Sequence, residues 1–485
     1  MKKYIPENLD MSKLINDVQL NSIEGFHPDK LVWVLSEIAE KPITLSGYAE
    51  IHSKRFRQFV HNYNAYLEFA ERINLIKRDM QYYYDVFSTS KVRGYKFTEG
   101  YSSSLQGFEI NYLPIVKKAA RERAGRIESC SSNKHLTCWF NPGLTVDCDS
   151  AIDYLGIYYT EKKKEYEILT QKREAIRSTW YEDYSQKCLA LKQCECKDPY
   201  ESYRRAFISI DRIKYQEHCL STDPTVNRFH STITMMPSDF RNFLKYDGKE
   251  LVCLDIRNSQ AFFSLCLLEE SNIGKIIEAV EELNLKDIKL HNIKNGLPSN
   301  YPSSSIILSE SLHKIDNQEV ERYKNLVLSG HIYDHFEQAI SDELGVTFPS
   351  RKALKAEFFR IMYSSNRFFG QPAAAPKRVF YDQFPGIAEY FSRLKKLHTD
   401  IIPIILMRWE SHAVLQSITK RISRDHPEVP LFTIHDGIAT TNEHVVLLST
   451  IICEELKALT GYSPTLKKEE WIIKNLKYYN IWKHR

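Results

Sequence analysis

Three short stretches decide how this chain is read: LVCLDIRNSQ at 251–260, RKALKAEFFRIMYSS at 351–365 and LFTIHDGIATT at 431–441. The first and third each set one aspartate, Asp255 and Asp436, in or just after an apolar run that reads as a buried strand. The middle stretch is helical and spaces Arg351, Lys355, Phe359 and Tyr363 four residues apart. At 3.6 residues per turn, such positions share one slowly drifting face. Two cations followed by two aromatics therefore line a single stripe. Two carboxylates and a cation-aromatic helix are the parts needed to hold a nucleoside triphosphate and transfer its nucleotidyl group.

Around these stretches the composition is that of an ordinary soluble globular protein, with 43% hydrophobic and 26% charged residues. A length of 485 residues favours two to four domains. The net charge of +4 is compatible with nucleic acid without arguing for it, so basic residues matter only where they cluster. Ten cysteines show no regular framework; Cys188, Cys194 and Cys196 lie close together, but no paired C-x2-C knuckle occurs. Reduced thiols are expected, with a zinc site as the alternative. Neither an apolar leader nor a run of about 18 apolar residues is present, so the expectation is a cytoplasmic protein that does not span a membrane.

The chain divides by pattern into three parts: 1–111, 112–215 and 216–485. In the first, PDKLVWVLSEIAEK and SKRFRQFVHNYNAYLEFAERIN have helical spacing, and LIKRDMQYYYDVFSTSKVRGYKF alternates around a polar turn at Ser88-Thr89-Ser90. Two helices and a basic hairpin resemble a winged-helix module, which implies DNA contact through a helix and through Lys91, Arg93 and Lys96. A helical cap with a structural hairpin is the other reading. In the second part, KKAARERAGR at 117–126 and TEKKKEYEILTQKREAIRSTWYEDYSQK at 160–187 predict long exposed helices, a thumb-like or linking region. They are read as solvated faces, or else as grips on a duplex backbone through Lys117, Lys118, Arg121 and Arg123. PSNYPSSS at 298–305 is the clearest predicted loop.

From about residue 222 the chain resembles the superfamily of family A DNA polymerases and phage-type single-subunit RNA polymerases. The resemblance covers residues 222–475 and rests on four segments in order. TDPTVNRFHSTITMMPSDFRNFL at 222–244 is similar to a family segment whose arginine reaches the template-primer, followed by an arginine that opens the palm; Arg228 and Arg241 match. Asp255 matches the motif A aspartate. RKALKAEFFRIMY matches the fingers-helix pattern R-x3-K-x3-F-x3-Y without a gap. His435 and Asp436 match the His-Asp of motif C.

The resemblance implies an α+β right-hand fold, a palm sheet with helical fingers and thumb, preceded by the winged-helix-like domain. It implies two Mg2+ ions held by Asp255 and Asp436, about 3.5–4 Å apart, with Arg351 and Lys355 on the triphosphate. Magnesium takes hard oxygen ligands, often one or two carboxylates together with substrate phosphates. Phe359 would pack near sugar and base, Tyr363 would govern sugar choice and template access, and Arg228, Arg241, Gln416 and His435 would face nucleic acid. The helical run MRWESHAVLQSITKRI also offers Glu410 toward the site, or is a plain amphipathic helix.

The pattern departs from the family at identifiable places. Asn258-Ser259-Gln260 sits two residues late after Asp255, and the glutamate by which DNA polymerases exclude ribonucleotides is absent. Gly437 follows Asp436 where DNA polymerases often carry an acid, and Ser364 follows Tyr363 where glycine is preferred. The expected partners are a DNA template-primer and nucleoside triphosphates. Template-directed DNA synthesis is read slightly ahead of RNA or primer synthesis, and a non-catalytic DNA-binding replication initiator on a palm-like scaffold is the alternative. A polymerase fused to a DNA-recognition module suggests a phage, plasmid or mobile-element protein.

Overall fold

The Lys249–Ile256 strand is apolar without alternation because both of its faces are covered. Leu251 and Cys253 enter one core while Leu254 and Ile256 enter another. Strands covered on both sides read as continuous hydrophobic runs, and each fully buried Leu or Val contributes on the order of 1.5–3 kcal/mol. The computed structural model describes all residues except 45–46, 85–90, 102–103, 182–183, 197, 292–300, 349 and 485. It is a mixture of helix and sheet in which the central sheet of six strands curls.

Every pairing in that sheet is antiparallel. Lys249–Ile256 pairs along one edge with Gly437–Thr441, whose other neighbour is Phe432–Ile434, and along its other edge with Leu466–Trp471. Leu244–Tyr246 joins at the strand's start and carries the sheet on to Leu144–Val146. The stretch 112–215 thus contributes a strand to this sheet. Its long helices Cys148–Ser178 and Pro199–Lys214 are held there by Tyr154, Ile210 and Phe240, in the core that also takes Leu251 and Trp471. The opposite face is covered by helices, among them Ile332–Leu344, Arg351–Tyr363, Ile401–Ser411 and Val445–Thr460.

The N-terminal part has its own core around Trp33, Phe56, Tyr66 and Tyr95. Helix Pro28–Glu40 falls where the spacing predicts it, with His27 capping its start. The second predicted helix is two, Ser53–Phe59 and Tyr63–Arg72, because Val60 turns extended and closes the first. Ile76–Tyr84 and Lys91–Phe97 form the hairpin, and Ala49–Ile51 adds a third strand. The predicted turn at Ser88-Thr89-Ser90 lies outside the described residues.

Two further local expectations meet different outcomes. KKAARERAGR lies within the largely exposed helix Leu113–Ser129. Of the predicted loop PSNYPSSS, residues 298–300 lie outside the described residues, and 301–305 are helical, within Tyr301–His313. No helix among the described residues is long and apolar enough to cross a membrane.

Candidate active site

Antiparallel register, a property no single motif carries, joins the two aspartates. Asp255 pairs with Gly437, and the Ile256 N–H donates to the Asp436 carbonyl at 3.3 Å. Asp436 therefore lies in the turn directly beside the end of the Asp255 strand. His435 precedes it with φ of 55°, a left-handed conformation that lets the chain reverse between two short strands. On the other flank Lys467 is opposite Asp255 and Glu469 opposite Cys253.

Burial, then the Asp436 charge, raises the Asp255 carboxyl to about 7, while Lys355 and Lys467 oppose the rise. Burial lowers Lys355, and the nearness of both Asp255 and Asp436 works against that lowering. Lys355 on the Arg351–Tyr363 helix thus shares its environment with both carboxylates. Its ammonium also lies 5.4 Å from the centre of the Tyr333 ring.

The helix begins with a Ser350 cap, whose hydroxyl accepts from the Ala353 N–H at 3.3 Å. Arg351 pairs with Asp334 at 2.8 Å and donates to the Gly330 carbonyl at 3.3 Å. Both side chains of that ion pair are nearly half exposed, at 48% and 47%. An exposed pair contributes about 0–1 kcal/mol, so a phosphate could take Asp334's place on Arg351 at little cost. One turn beyond Lys355, Phe359 stacks on Tyr363 with ring centres 5.7 Å apart and planes inclined by 7°.

Tyr363 is the first member of a buried polar chain. Its hydroxyl donates to Gln260 Oε1 at 2.7 Å, and Gln260 Nε2 donates to Glu410 Oε2 at 2.5 Å. Ser259 adds a hydroxyl to the same carboxylate oxygen at 3.1 Å, and Arg228 donates to Glu410 Oε1 at 2.5 Å. The Glu410 side chain is only 2% exposed. Burial raises its pKa, and the Arg228 guanidinium opposes that rise. One carboxylate thus ties together three segments that the sequence places far apart.

The remaining predicted residues are placed less uniformly. His435 lies 6.0 Å from the His230 ring, and burial followed by the charge of Arg228 depresses it to about 4. Arg241 is largely enclosed beside Cys253 and donates to the Met236 carbonyl at 3.3 Å. Gln416 sits in the wide π-helical turn His412–Ile418 and donates to Asn133 Oδ1 at 3.1 Å. It lines an open groove of about 670 Å3 that includes His135, Lys420 and Arg421. The structure therefore gathers Asp255, Asp436 and Lys355, and separately Tyr363 and Arg228 through Glu410. Gln416 belongs to the groove.

Sequence reasoning missed Tyr333, Asp334, Lys467 and Glu469. No local signal marks them, since each enters only through strand register or a helix packed from far along the chain. All ten cysteines are free thiols, and among the described residues no group of three or more His, Cys, Asp or Glu is arranged to hold a metal ion. The Asp255–Asp436 pair is a smaller oxygen donor set; burial first, and then the Asp436 charge, raise Asp255, and a divalent cation between the two would oppose both effects. No family model and no curated protein matches this chain.

Proposed function

We propose that this chain is a template-directed nucleotidyltransferase, with DNA synthesis on a primed template as the favoured form. The observation that carries the reading is the meeting of Asp255, Asp436 and Lys355 at one corner of the sheet, from three segments in the order the resemblance requires. Asp255 and Asp436 would hold magnesium. When bound, two such ions supply Lewis-acid stabilisation to the attacking and leaving oxygens.

The chain's own residues do the positioning. Arg351 and Lys355, one turn apart, spread positive charge along a triphosphate, which stabilises charge developing on the leaving group. Arg351 exchanges Asp334 for phosphate. The parallel rings of Phe359 and Tyr363 offer a flat surface to sugar and base, and Gln260 fixes the Tyr363 hydroxyl. Glu410 holds Arg228 toward the strand being copied or extended, and the groove at Gln416 would present Lys420 to a nucleic-acid backbone, Arg421 there being paired with Glu454 and Glu455. The N-terminal hairpin, through Arg93 and Lys96, would add a duplex contact in the manner of a wing.

The test is extension of a labelled primer on DNA and RNA templates with Mg2+, using dNTPs and NTPs separately. Wild type runs beside Asp255→Asn and Asp436→Asn, with a primer-free lane. Extension by wild type and its loss in both variants supports the reading, and the nucleotide accepted sets the sugar class. Wild-type protein that binds DNA yet synthesises nothing under any condition refutes it in favour of an initiator-like scaffold.

A further inference from the structure

A second concave site lies away from the carboxylates, where the N-terminal part meets the helix Pro199–Lys214. It is a cavity of about 290 Å3, walled on one side by Val116, Ala119 and Arg123 of the helix Leu113–Ser129. Those positions fall at spacings of three, four and seven, so they form one face. Arg212, Glu217 and Cys219 also line it, together with Glu40.

The charges around this cavity are not equally engaged. Lys2 is paired with Asp211 at 2.8 Å, and Lys3 with Glu37 and Glu40. Arg123, by contrast, has no hydrogen bond or ion pair among the described residues. Arg212 makes one side-chain hydrogen bond among them, a long one to Glu40 at 3.5 Å, from five available N–H groups. His218, which also lines the cavity, is kept neutral down to about 4 by burial and by Arg123. Arg212 faces the carboxylates of both Glu40 and Glu217, so the guanidinium without a carboxylate partner among the described residues is Arg123, and it stands with Arg212 beside an apolar helix face.

We propose that this cavity binds a 5′-phosphorylated nucleoside, the phosphate on Arg123 and Arg212 and the base against Val116 and Ala119. Guanidinium groups match phosphate oxygens two at a time, and the small apolar side chains leave room for a flat ring. The volume is at the lower edge of ligand pockets, roughly 300 Å3, which suits a single nucleotide, free or at the end of a strand. Two sources share this chemistry: a free nucleoside monophosphate, and the phosphorylated 5′ end of a nucleic-acid strand. Either would bridge the N-terminal part and the central sheet's helices. The proposal does not depend on the polymerase reading.

The experiment measures binding of AMP to the full chain by equilibrium dialysis in EDTA, with alkylation of Cys219 followed by peptide mass spectrometry. Inorganic phosphate and oligonucleotides with a 5′ phosphate or a 5′ hydroxyl are run alongside, with the variants Arg123→Glu, Arg123→Lys and Lys355→Ala. The expected result is saturable binding with Kd below about 1 mM and slower Cys219 alkylation. The AMP concentration that half-protects Cys219 should rise at least about tenfold in Arg123→Glu, less in Arg123→Lys, and not in Lys355→Ala, since Lys355 does not line this cavity. Protection by the 5′-phosphorylated oligonucleotide, but not the hydroxyl form, would assign the strand end as the source. Absence of saturable binding by any phosphorylated probe overturns the proposal. So does Cys219 protection by AMP that survives Arg123→Glu or is lost in Lys355→Ala, and phosphate that protects Cys219 as well as AMP does removes the nucleoside.

Discussion

Replacing Glu410 by Gln should destabilise the larger core far more than a change of one atom suggests. The carboxylate is 2% exposed, while the Arg228 side chain is 20% exposed, so solvent reaches this pair poorly and from one side only. Arg228 has no second side-chain partner among the described residues, and its Nε is already buried without one. Glutamine keeps an oxygen for either Arg228 or the Ser259 and Gln260 donors, but presents an NH2 to whichever loses. Removing one partner of a buried pair costs about 3–5 kcal/mol, because the other charge stays behind uncompensated. The partial access of Arg228 to water puts this case at the lower end, about 3 kcal/mol. Loss of the Gln260 anchor should also loosen Tyr363, whose hydroxyl depends on Gln260. The assay is urea unfolding combined with hydrogen exchange of peptides from Ile401–Ser411 and Arg351–Tyr363. The double variant Glu410→Met with Arg228→Met should recover most of the loss, since both charges then go together. A cost below about 1 kcal/mol for Glu410→Gln, or strict additivity of the two single changes in the double variant, would refute the argument.

Other perturbations test separate parts of the structure. In Gly437→Ala the new Cβ would come within 3.0 Å of Cys253 Sγ and 3.5 Å of Asp255 Oδ1; a loss of about 1–3 kcal/mol is expected, and adding Cys253→Ala should return most of it in thermal unfolding. Burial, reinforced by Lys377, lowers Lys395 from its ordinary 10.5 to about 7. Between those values the unfolded chain binds the extra proton, so stability should rise from pH 7 to 10. Lys395→Met, at the cost of one hydrogen bond to the Ile361 carbonyl, should flatten that rise; an unchanged slope in urea titrations counts against the assignment. In Gly94→Ala the Cβ would meet Tyr48 Cβ at 2.7 Å. The N-terminal core should then unfold earlier, with exchange in the central sheet unaltered, because the two cores are distinct.

What could be read from the sequence was whatever depends on local period. The four-residue ladder from Arg351 to Tyr363 forms one uninterrupted helix, and the apolar runs before Asp255 and around Asp436 form strands. Helices over 28–40 and 113–129 follow from the same kind of pattern. Long-range pairing was out of reach. The register that opposes Asp255 to Gly437 requires the 251–256 and 437–441 strands to be neighbours, and Leu144–Val146 gives no sign that it extends their sheet. From its helical run Glu410 reads either as a group offered toward the site or as one polar residue on an amphipathic helix. Its weight comes from donors at positions 228, 259 and 260, which only the fold assembles.

How the cationic helix comes to face the carboxylates has an answer in the backbone rather than in the charges. Gly330 takes φ of +82°, and its carbonyl accepts both from Asn258 Nδ2 at 3.2 Å and from Arg351 at 3.3 Å. Asn258 is the buried, left-handed residue that ends the Asp255 strand's run into the next helix. Two residues before Gly330, the Leu328 carbonyl accepts from the Thr465 hydroxyl, while the Arg257 N–H donates to the Thr465 carbonyl at 2.9 Å. The turn at 328–330 therefore fastens the end of one strand, the start of Leu466–Trp471 and the head of the Arg351 helix. Architecture and electrostatics are thus separable. Lys355→Gln should leave exchange protection along Arg351–Tyr363 as it is, while removing one of the two positive charges, Lys355 and Lys467, that oppose the rise of Asp255, so that the Asp255 carboxyl, followed by NMR, titrates higher than in wild type. A helix that lost protection on this single neutralisation would mean that attraction to the two aspartates, and not the Gly330 turn, sets its position.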